Sequence, residues 1–148
     1  MQRPRTEPTV LPEPELTLHA EMTVDTRLVD WETEKLSLNQ RKGKHVNTSD
    51  QTAMWRGLGA RAALRVPRIP AGHTARYVML IRFPDKRNRD AVNFTPILKA
   101  LVDGAVQESK IAPDDSWPHC IGPDCRELRP PGALEVILQV WTGPHQIG

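Results

Sequence analysis

Hydrophobic and polar residues alternate from Leu16 to Val24. Alternation with a period of two is typical of a strand that buries one face, so we predict a strand here. Two further strands are predicted over 76–83, RYVMLIRF, and 133–141, ALEVILQVW. Both are short apolar runs between polar flanks, a pattern that suits buried strands.

Two other segments have the spacing of helices. One is predicted from about Asp50 to Leu64, with a capping residue at its start. The second is predicted to begin with Thr95 as its cap and Pro96 at the first helical position, where no amide donor is needed. Its apolar residues recur at helical spacing between Ile97 and Val106, and we expect the helix to end near Ser109.

The order of these elements predicts an α+β fold in which a small mixed sheet packs against two or three helices. Residues 1–14 contain four prolines and no apolar period, so we predict a disordered, acidic and proline-rich tail. Residues 15–142 have the size of a single domain, and 143–148 are predicted to be a loose tail. Trp55 and Trp141 are predicted core residues.

Charge is distributed unevenly along the chain. Residues 1–34 carry three basic and eight acidic side chains, which gives this segment a net charge of −5. Because the whole chain has a net charge of +2, the remaining residues carry a net charge of +7. A basic body attracts polyanions such as nucleic acid, although a charged, solvated surface without such a partner is the alternative. No apolar stretch approaches the ~18 residues of a membrane span, and the amino terminus has no secretory pattern, so we expect a cytoplasmic protein without a membrane partner.

Carboxylates at three places in the chain could hold a divalent cation. Asp90 follows a run of basic residues, Asp103 lies on the second predicted helix, and the pair Asp114–Asp115 follows that helix. Mg²⁺ takes oxygen ligands and can activate water to attack a phosphodiester, while nearby cations hold the phosphates. The alternatives are a surface ion pair at Asp90 and a turn at Asp114–Asp115. Because the helix is ~20 Å long, the loop with Asp90 before it and the loop with Asp114–Asp115 after it meet only if one loop folds back or two chains combine.

Two further clusters each have two interpretations. The basic stretch 39–45, NQRKGKH, is either an arm that contacts phosphates or a solvated loop. His119, Cys120 and Cys125 provide three zinc-type ligands where zinc usually takes four, and we favour two reduced cysteines.

The order RNRDAVNFTPILKALVDGAV…APDD resembles the RusA-type Holliday junction resolvases, a family common in phages and prophages. The family pattern is an arginine-rich approach, Arg-Asp-x-Asp-Asn, a helix with Lys-Ala-x-x-Asp-Gly, and an Asp-Asp loop. The resemblance covers about 36–140, and the 90–115 block is its specific part.

The resemblance implies a homodimer that binds four-way DNA junctions or other branched DNA and cuts it with Mg²⁺, or alternatively Mn²⁺. It also implies a protein that acts in the bacterial cytoplasm and is encoded by the bacterial host or by a phage. The implied metal ligands are Asp90, Asp114 and Asp115, and the implied catalytic residues are Asp90, Lys99, Asp103 and Asp115. The implied DNA-contacting residues are Asn39, Arg41, Lys44, Lys86, Arg87, Arg89 and Asn93.

One position departs from the family pattern, because Val92 stands where the family has its second aspartate. A valine cannot bind a metal. The remaining oxygens could suffice, Asp103 could substitute, or catalysis could be lost while junction binding persists. We expect a divergent but working nuclease, and the alternative is a catalytically impaired protein that binds branched DNA.

Overall fold

The structure is a computed structural model that describes residues 15–38, 48–87, 89–113 and 120–145. Within these ranges lie four strands, β1 (Thr17–Thr23), β2 (His73–Arg82), β3 (Cys120–Glu127) and β4 (Glu135–Pro144). Three helices accompany them, α1 (Trp31–Glu34), α2 (Ser49–Ala62) and α3 (Thr95–Asp103). A 3₁₀ turn (Ala91–Phe94) leads into α3 and a π turn (Gly104–Glu108) continues it. The predicted α+β fold with a small mixed sheet is confirmed.

The strands form one sheet in the order β1-β4-β2-β3. Strand β4 is antiparallel to both β1 and β2, whereas β3 runs parallel to β2. Parallel neighbours need a crossover connection, and α3 supplies it between β2 and β3. The loop after β2 and the loop after α3 therefore lie at opposite ends of the sheet.

Strand β3 is longer than the sequence pattern predicted. The segment 112–131 contains five prolines, a composition typical of loops, and its sequence predicts at most a short strand near 119–122. Pro123 nevertheless lies within β3, opposite Tyr77 of β2. Proline has no N–H for a ladder, and β3 tolerates it because the described sheet pairs this strand on one side only.

An irregularity in β1 changes which of its side chains are buried. Leu18 pairs with Trp141 and Ala20 with Val140, so one extra residue lies between them. The insertion turns Leu18 to the outer side, where it is 47% exposed, while Met22 reaches the core. The strict alternation from Leu16 to Val24 is thus broken in its first half.

Helices α2 and α3 pack closely because glycines face the opposing backbone. A Cβ added at Gly59 would overlap the Leu101 carbonyl, and one added at Gly104 would overlap the Arg56 carbonyl. The hydroxyl of Ser109 donates to the Ala60 carbonyl at 2.6 Å and fixes the end of the π turn against α2. These helices cover the sheet face that carries Tyr77, Met79, Ile81, Val136, Leu138 and Val140.

The opposite face of the sheet carries a shallow groove of about 270 Å³. Trp141 lines this groove and is only half-buried, so its predicted place in the main core is wrong, whereas Trp55 is fully buried as predicted.

At the carboxyl end, β4 runs to Pro144 and the His145 N–H donates to the Gly72 carbonyl, beyond the predicted domain end at 142. The predicted tail 1–14 lies outside the described residues. Among the described helices, none has the length and apolar content needed to cross a membrane.

Candidate nucleic-acid interface

The connection from β2 to α3 is stabilised by an ion pair between Arg89 and Asp85. Two guanidinium nitrogens of Arg89 donate to the two carboxylate oxygens of Asp85, at 2.6 and 2.8 Å. The backbone N–H of Arg87 donates to the same carboxylate at 3.0 Å. The Arg89 pair and then the Arg87 N–H lower the pKa of Asp85 from 3.8 to about 2.

Arg89 faces the protein rather than solvent. Its side chain is only 9% exposed, and its guanidinium carbon lies 4.9 Å from the centre of the Phe83 ring and 5.9 Å from that of Trp31. These rings and Phe94 form a cluster with centroids 5.0–5.6 Å apart. Arg89 thus joins the aromatic cluster to the loop, and its predicted contact with DNA stays a prediction that this orientation does not favour.

Asp90 is exposed and begins the 3₁₀ turn. Its backbone is extended, its carboxylate accepts the Val92 N–H at 3.2 Å, and its carbonyl accepts the Asn93 N–H at 2.9 Å. Among the described residues, no cation forms an ion pair with it. A carboxylate offers about four acceptor positions, so capping the turn leaves Asp90 able to accept further donors or to bind a cation.

Lys99 and Asp103 form an ion pair on α3, with the ammonium 2.9 Å from the carboxylate. Residues four apart on a helix lie on one face, and this spacing brings the two side chains together. Lys99 is 63% exposed while Asp103 is 20% exposed, so the lysine is the more accessible member. Their predicted catalytic roles stay predictions.

The predicted phosphate contacts divide into described and undescribed residues. Lys86 and Arg87 are exposed in the loop before Asp90, and Asn93 is half-buried within the 3₁₀ turn. Asn39, Arg41 and Lys44 lie outside the described residues. The Leu38 N–H, just before that basic stretch, donates to the Asn93 carbonyl at 2.7 Å. Leu38, the last described residue before the basic stretch, therefore lies beside the turn that Asp90 begins.

Asp114 and Asp115 also lie outside the described residues, but the structure describes the chain up to residue 113 and again from residue 120. The Ile69 N–H donates to the Ile111 carbonyl at 2.7 Å, and Cys120 pairs with Ala75, so both flanks lie where β2 begins. Asp90 lies beyond Arg82, where β2 ends. The eight strand residues from Ala75 to Arg82 span ~23 Å.

The described residues contain no group of three or more histidines, cysteines, aspartates or glutamates arranged to hold a metal ion. Asp90 is the predicted metal ligand that the structure describes, and as a hard oxygen donor it suits Mg²⁺. The described part of the chain therefore supplies one residue that could coordinate Mg²⁺, and it does not form a complete metal site by itself.

A scan against protein-family models finds no family that matches this chain, and a search of curated proteins finds no matching relative. The resemblance to RusA-type resolvases therefore depends on the sequence alone, mainly on its 90–115 block.

The two cysteines cannot bind one zinc ion together. Cys120 and Cys125 lie opposite Ala75 and Met79, ~13 Å apart along β2, whereas two sulfurs on one zinc lie at most ~5 Å apart. Neither cysteine forms a disulfide, and burial raises the pKa of the Cys125 thiol, which therefore stays protonated at neutral pH. His119 lies outside the described residues.

Sequence reasoning missed Asp85 and the aromatic cluster beneath the site. The available signal was the spacing of Asp85 and Arg89, four residues apart and directly after Pro84. Such spacing brings two side chains together when the chain bends, and it bends at Pro84 and Asp85.

Proposed function

We propose that this protein is a RusA-type, metal-dependent endodeoxyribonuclease that cuts Holliday junctions or other branched DNA as a homodimer. The observation that supports it best is an exposed carboxylate, Asp90, on a turn that follows two exposed cations and that contacts Leu38, the residue before the basic stretch in the sequence. Such an arrangement can bring a phosphodiester to an oxygen ligand while cations hold the neighbouring phosphates. Work on DNA in a bacterial or phage-infected cell would place the protein in the cytoplasm.

The residues of the chain have separate roles in this proposal. Asp90, together with Asp114 and Asp115, would hold Mg²⁺ or Mn²⁺, and the bound ion would supply polarisation of the phosphodiester and a lowered water pKa. Lys99 would neutralise charge on the scissile phosphate, and Asp103 would orient the Lys99 ammonium through their ion pair. The DNA backbone would be held by Asn39, Arg41, Lys44, Lys86, Arg87 and Asn93.

The proposed dimer gains support from the ends of β2. Asp90 lies at one end of this strand, and the flanks of Asp114 and Asp115 lie at the other. Ligands from two copies of the chain would unite these carboxylates without a fold-back of either loop. A two-fold dimer also matches the near two-fold symmetry of a four-way junction.

Val92 supports a second candidate function, which is binding of branched DNA without cutting. It is 51% exposed on the 3₁₀ turn, next to the proposed ligand Asp90 and at the position of a family aspartate. If the missing oxygen is essential, the cationic surface would still hold DNA.

A cleavage assay on a synthetic four-way junction tests the proposal. We expect paired nicks in Mg²⁺ or Mn²⁺, none in EDTA, and little cutting of a linear duplex of the same sequence. A gel shift in Ca²⁺ measures binding separately. Binding without nicks at any Mg²⁺ or Mn²⁺ concentration would identify the binding-only function, and absence of binding to any DNA at low salt would exclude both.

A further inference from the structure

Two large apolar side chains are exposed beside the proposed metal ligand. Among the described residues, Leu38 and Val92 are 56% and 51% exposed, and the Leu38 N–H bonds to the carbonyl of Asn93, the residue after Val92. We call Leu38 and Val92 the apolar pair. The hydrogen bond joins the backbone segments that carry them, so both side chains belong to the same part of the surface. Single exposed apolar residues are common, whereas apolar residues grouped on one surface mark contact sites.

The turn holds Val92 in a fixed outward position. Its N–H donates to the Asp90 carboxylate, and its carbonyl accepts the Thr95 hydroxyl at 2.6 Å. A 3₁₀ turn has three residues per turn, so Ala91 and Phe94 share one side of it, and Phe94 is buried in the aromatic cluster. Val92 lies about a third of a turn away from that side and is presented to solvent.

The charges around the apolar pair indicate what it contacts. Lys86 and Arg87 are exposed in the adjoining loop, and Lys99 is 63% exposed on α3. A polyanion with accessible apolar surfaces suits this combination. Base faces at the branch point of DNA, where stacking is interrupted, provide such surfaces between two phosphate backbones, and aliphatic side chains are known to insert between base steps.

We propose that Leu38 and Val92 form an apolar wedge that contacts unstacked bases at the branch point and gives the protein its preference for branched over linear DNA. This inference rests on the proposed function, since it requires that the protein binds DNA. In this inference Val92 contacts the DNA bases directly and is more than the residue that replaces a family aspartate.

The test uses the full chain in Ca²⁺, which separates binding from cutting. One four-way junction and one linear duplex carry 2-aminopurine at the same sequence position, next to the branch in the junction. We expect wild-type protein to raise the 2-aminopurine fluorescence in the junction and not in the duplex. V92S and L38S should each lower the junction-over-duplex preference by on the order of tenfold, while duplex affinity stays unchanged.

Leu64→Ser is the matched control, since Leu64 is 71% exposed just beyond the end of α2. It should leave preference and fluorescence at wild-type values, and thermal melting should show that all variants are folded. If wild-type protein prefers the junction and both wedge variants keep that preference, or lose affinity for both DNAs equally, the wedge is excluded while the proposed function stands. If wild-type protein binds neither DNA, the proposed function itself fails.

Discussion

Arg89 and Asp85 are joined by two hydrogen bonds across a turn, and Arg89 lies against the rings of Phe83 and Trp31. The pair therefore connects the hydrophobic core to the loop that carries Lys86 and Arg87. Its position implies that the loop is held in a set conformation before any ligand binds. A surface fixed in this way would lose little entropy on binding the proposed DNA ligand.

Replacing Asp85 by asparagine should lower the melting temperature in a pH-dependent way. The folded-state pKa of Asp85 is lowered from 3.8 to about 2, so the ionised carboxylate stabilises the folded protein above pH 3.8. This stabilisation is lost as the pH falls from 3.8 to about 2. The difference in melting temperature between wild type and D85N should be constant from pH 5 to 7 and vanish near pH 2.

Asp25→Asn tests whether the effect comes from the aromatic cluster beneath Arg89. Asp25 pairs with Arg27, whose side chain is 86% exposed, and the pair has no ring contact among the described residues. D25N should therefore lower the melting temperature less than D85N at pH 7. Equal losses in the two variants would show that the Trp31 and Phe83 contacts add nothing.

The sequence predicted the regular elements well and missed what depends on tertiary contacts. Helix α2 and strands β2 and β4 follow from periodicity, because burial of one face or both dictates their patterns. The length of strand β3 was missed because Pro123 is tolerated only at a sheet edge, and the edge position is a property of the assembled sheet. The cap of α3 was misassigned for a similar reason. The Thr95 hydroxyl donates to the Val92 carbonyl, and the helix begins from a 3₁₀ turn that Asp90 caps.

The candidate site shows the same limit. The surface ion pair considered at Asp90 does not form with its neighbour Arg89, because the backbone at Asp90 is extended and adjacent side chains of an extended chain point to opposite sides. Asp85 becomes the partner only because the chain turns after Phe83. The exposure of Val92 could not be predicted either, since an apolar residue before a helix is usually buried.

Adding a methyl group at Gly59 or Gly104 should destabilise the fold. In both cases the new Cβ would overlap a backbone carbonyl of the opposing segment, and backbone cannot give way as a flexible side chain can. We expect G59A and G104A each to reduce the free energy of unfolding by ~1–3 kcal/mol or more, measured by urea denaturation.

Gly57→Ala is the control for this pair, because Gly57 lies in the same helix as Gly59 and has open space around it. There the higher helix propensity of alanine should raise the free energy of unfolding by up to ~1 kcal/mol. Destabilisation by G57A equal to that of G59A would show that helix α2 responds to any substitution and that the close approach to α3 is not the cause.

Lys86 and Arg87 should each contribute one phosphate contact. The logarithm of DNA affinity falls linearly with the logarithm of salt concentration, and each lost contact reduces that slope by about one. K86A and R87A should show this reduction on junction and duplex alike, measured by fluorescence anisotropy. R65A, which removes an exposed arginine just beyond α2, should leave the slope unchanged, and equal slopes in all four proteins would remove this loop from the interface.

Replacing Val92 by aspartate should restore an oxygen ligand. We expect V92D to increase the single-turnover rate of junction cutting severalfold at saturating protein, where any loss of affinity from the changed wedge no longer matters. V92N supplies a neutral control of similar size. An unchanged or lower rate in V92D, with an active wild type, would mean that the ligand set does not include this position.

Asp90→Asn should abolish cutting while preserving the fold and DNA binding. Asparagine caps a helical turn about as well as aspartate, so the bond to the Val92 N–H can persist in D90N while the negative charge is lost. Melting temperature and junction affinity in Ca²⁺ should therefore stay close to wild type. D90A removes the cap as well and should cost ~1 kcal/mol of stability in addition to activity. This pair separates the two roles of Asp90, because a residue that acts only as a cap would lose activity in D90A and keep it in D90N.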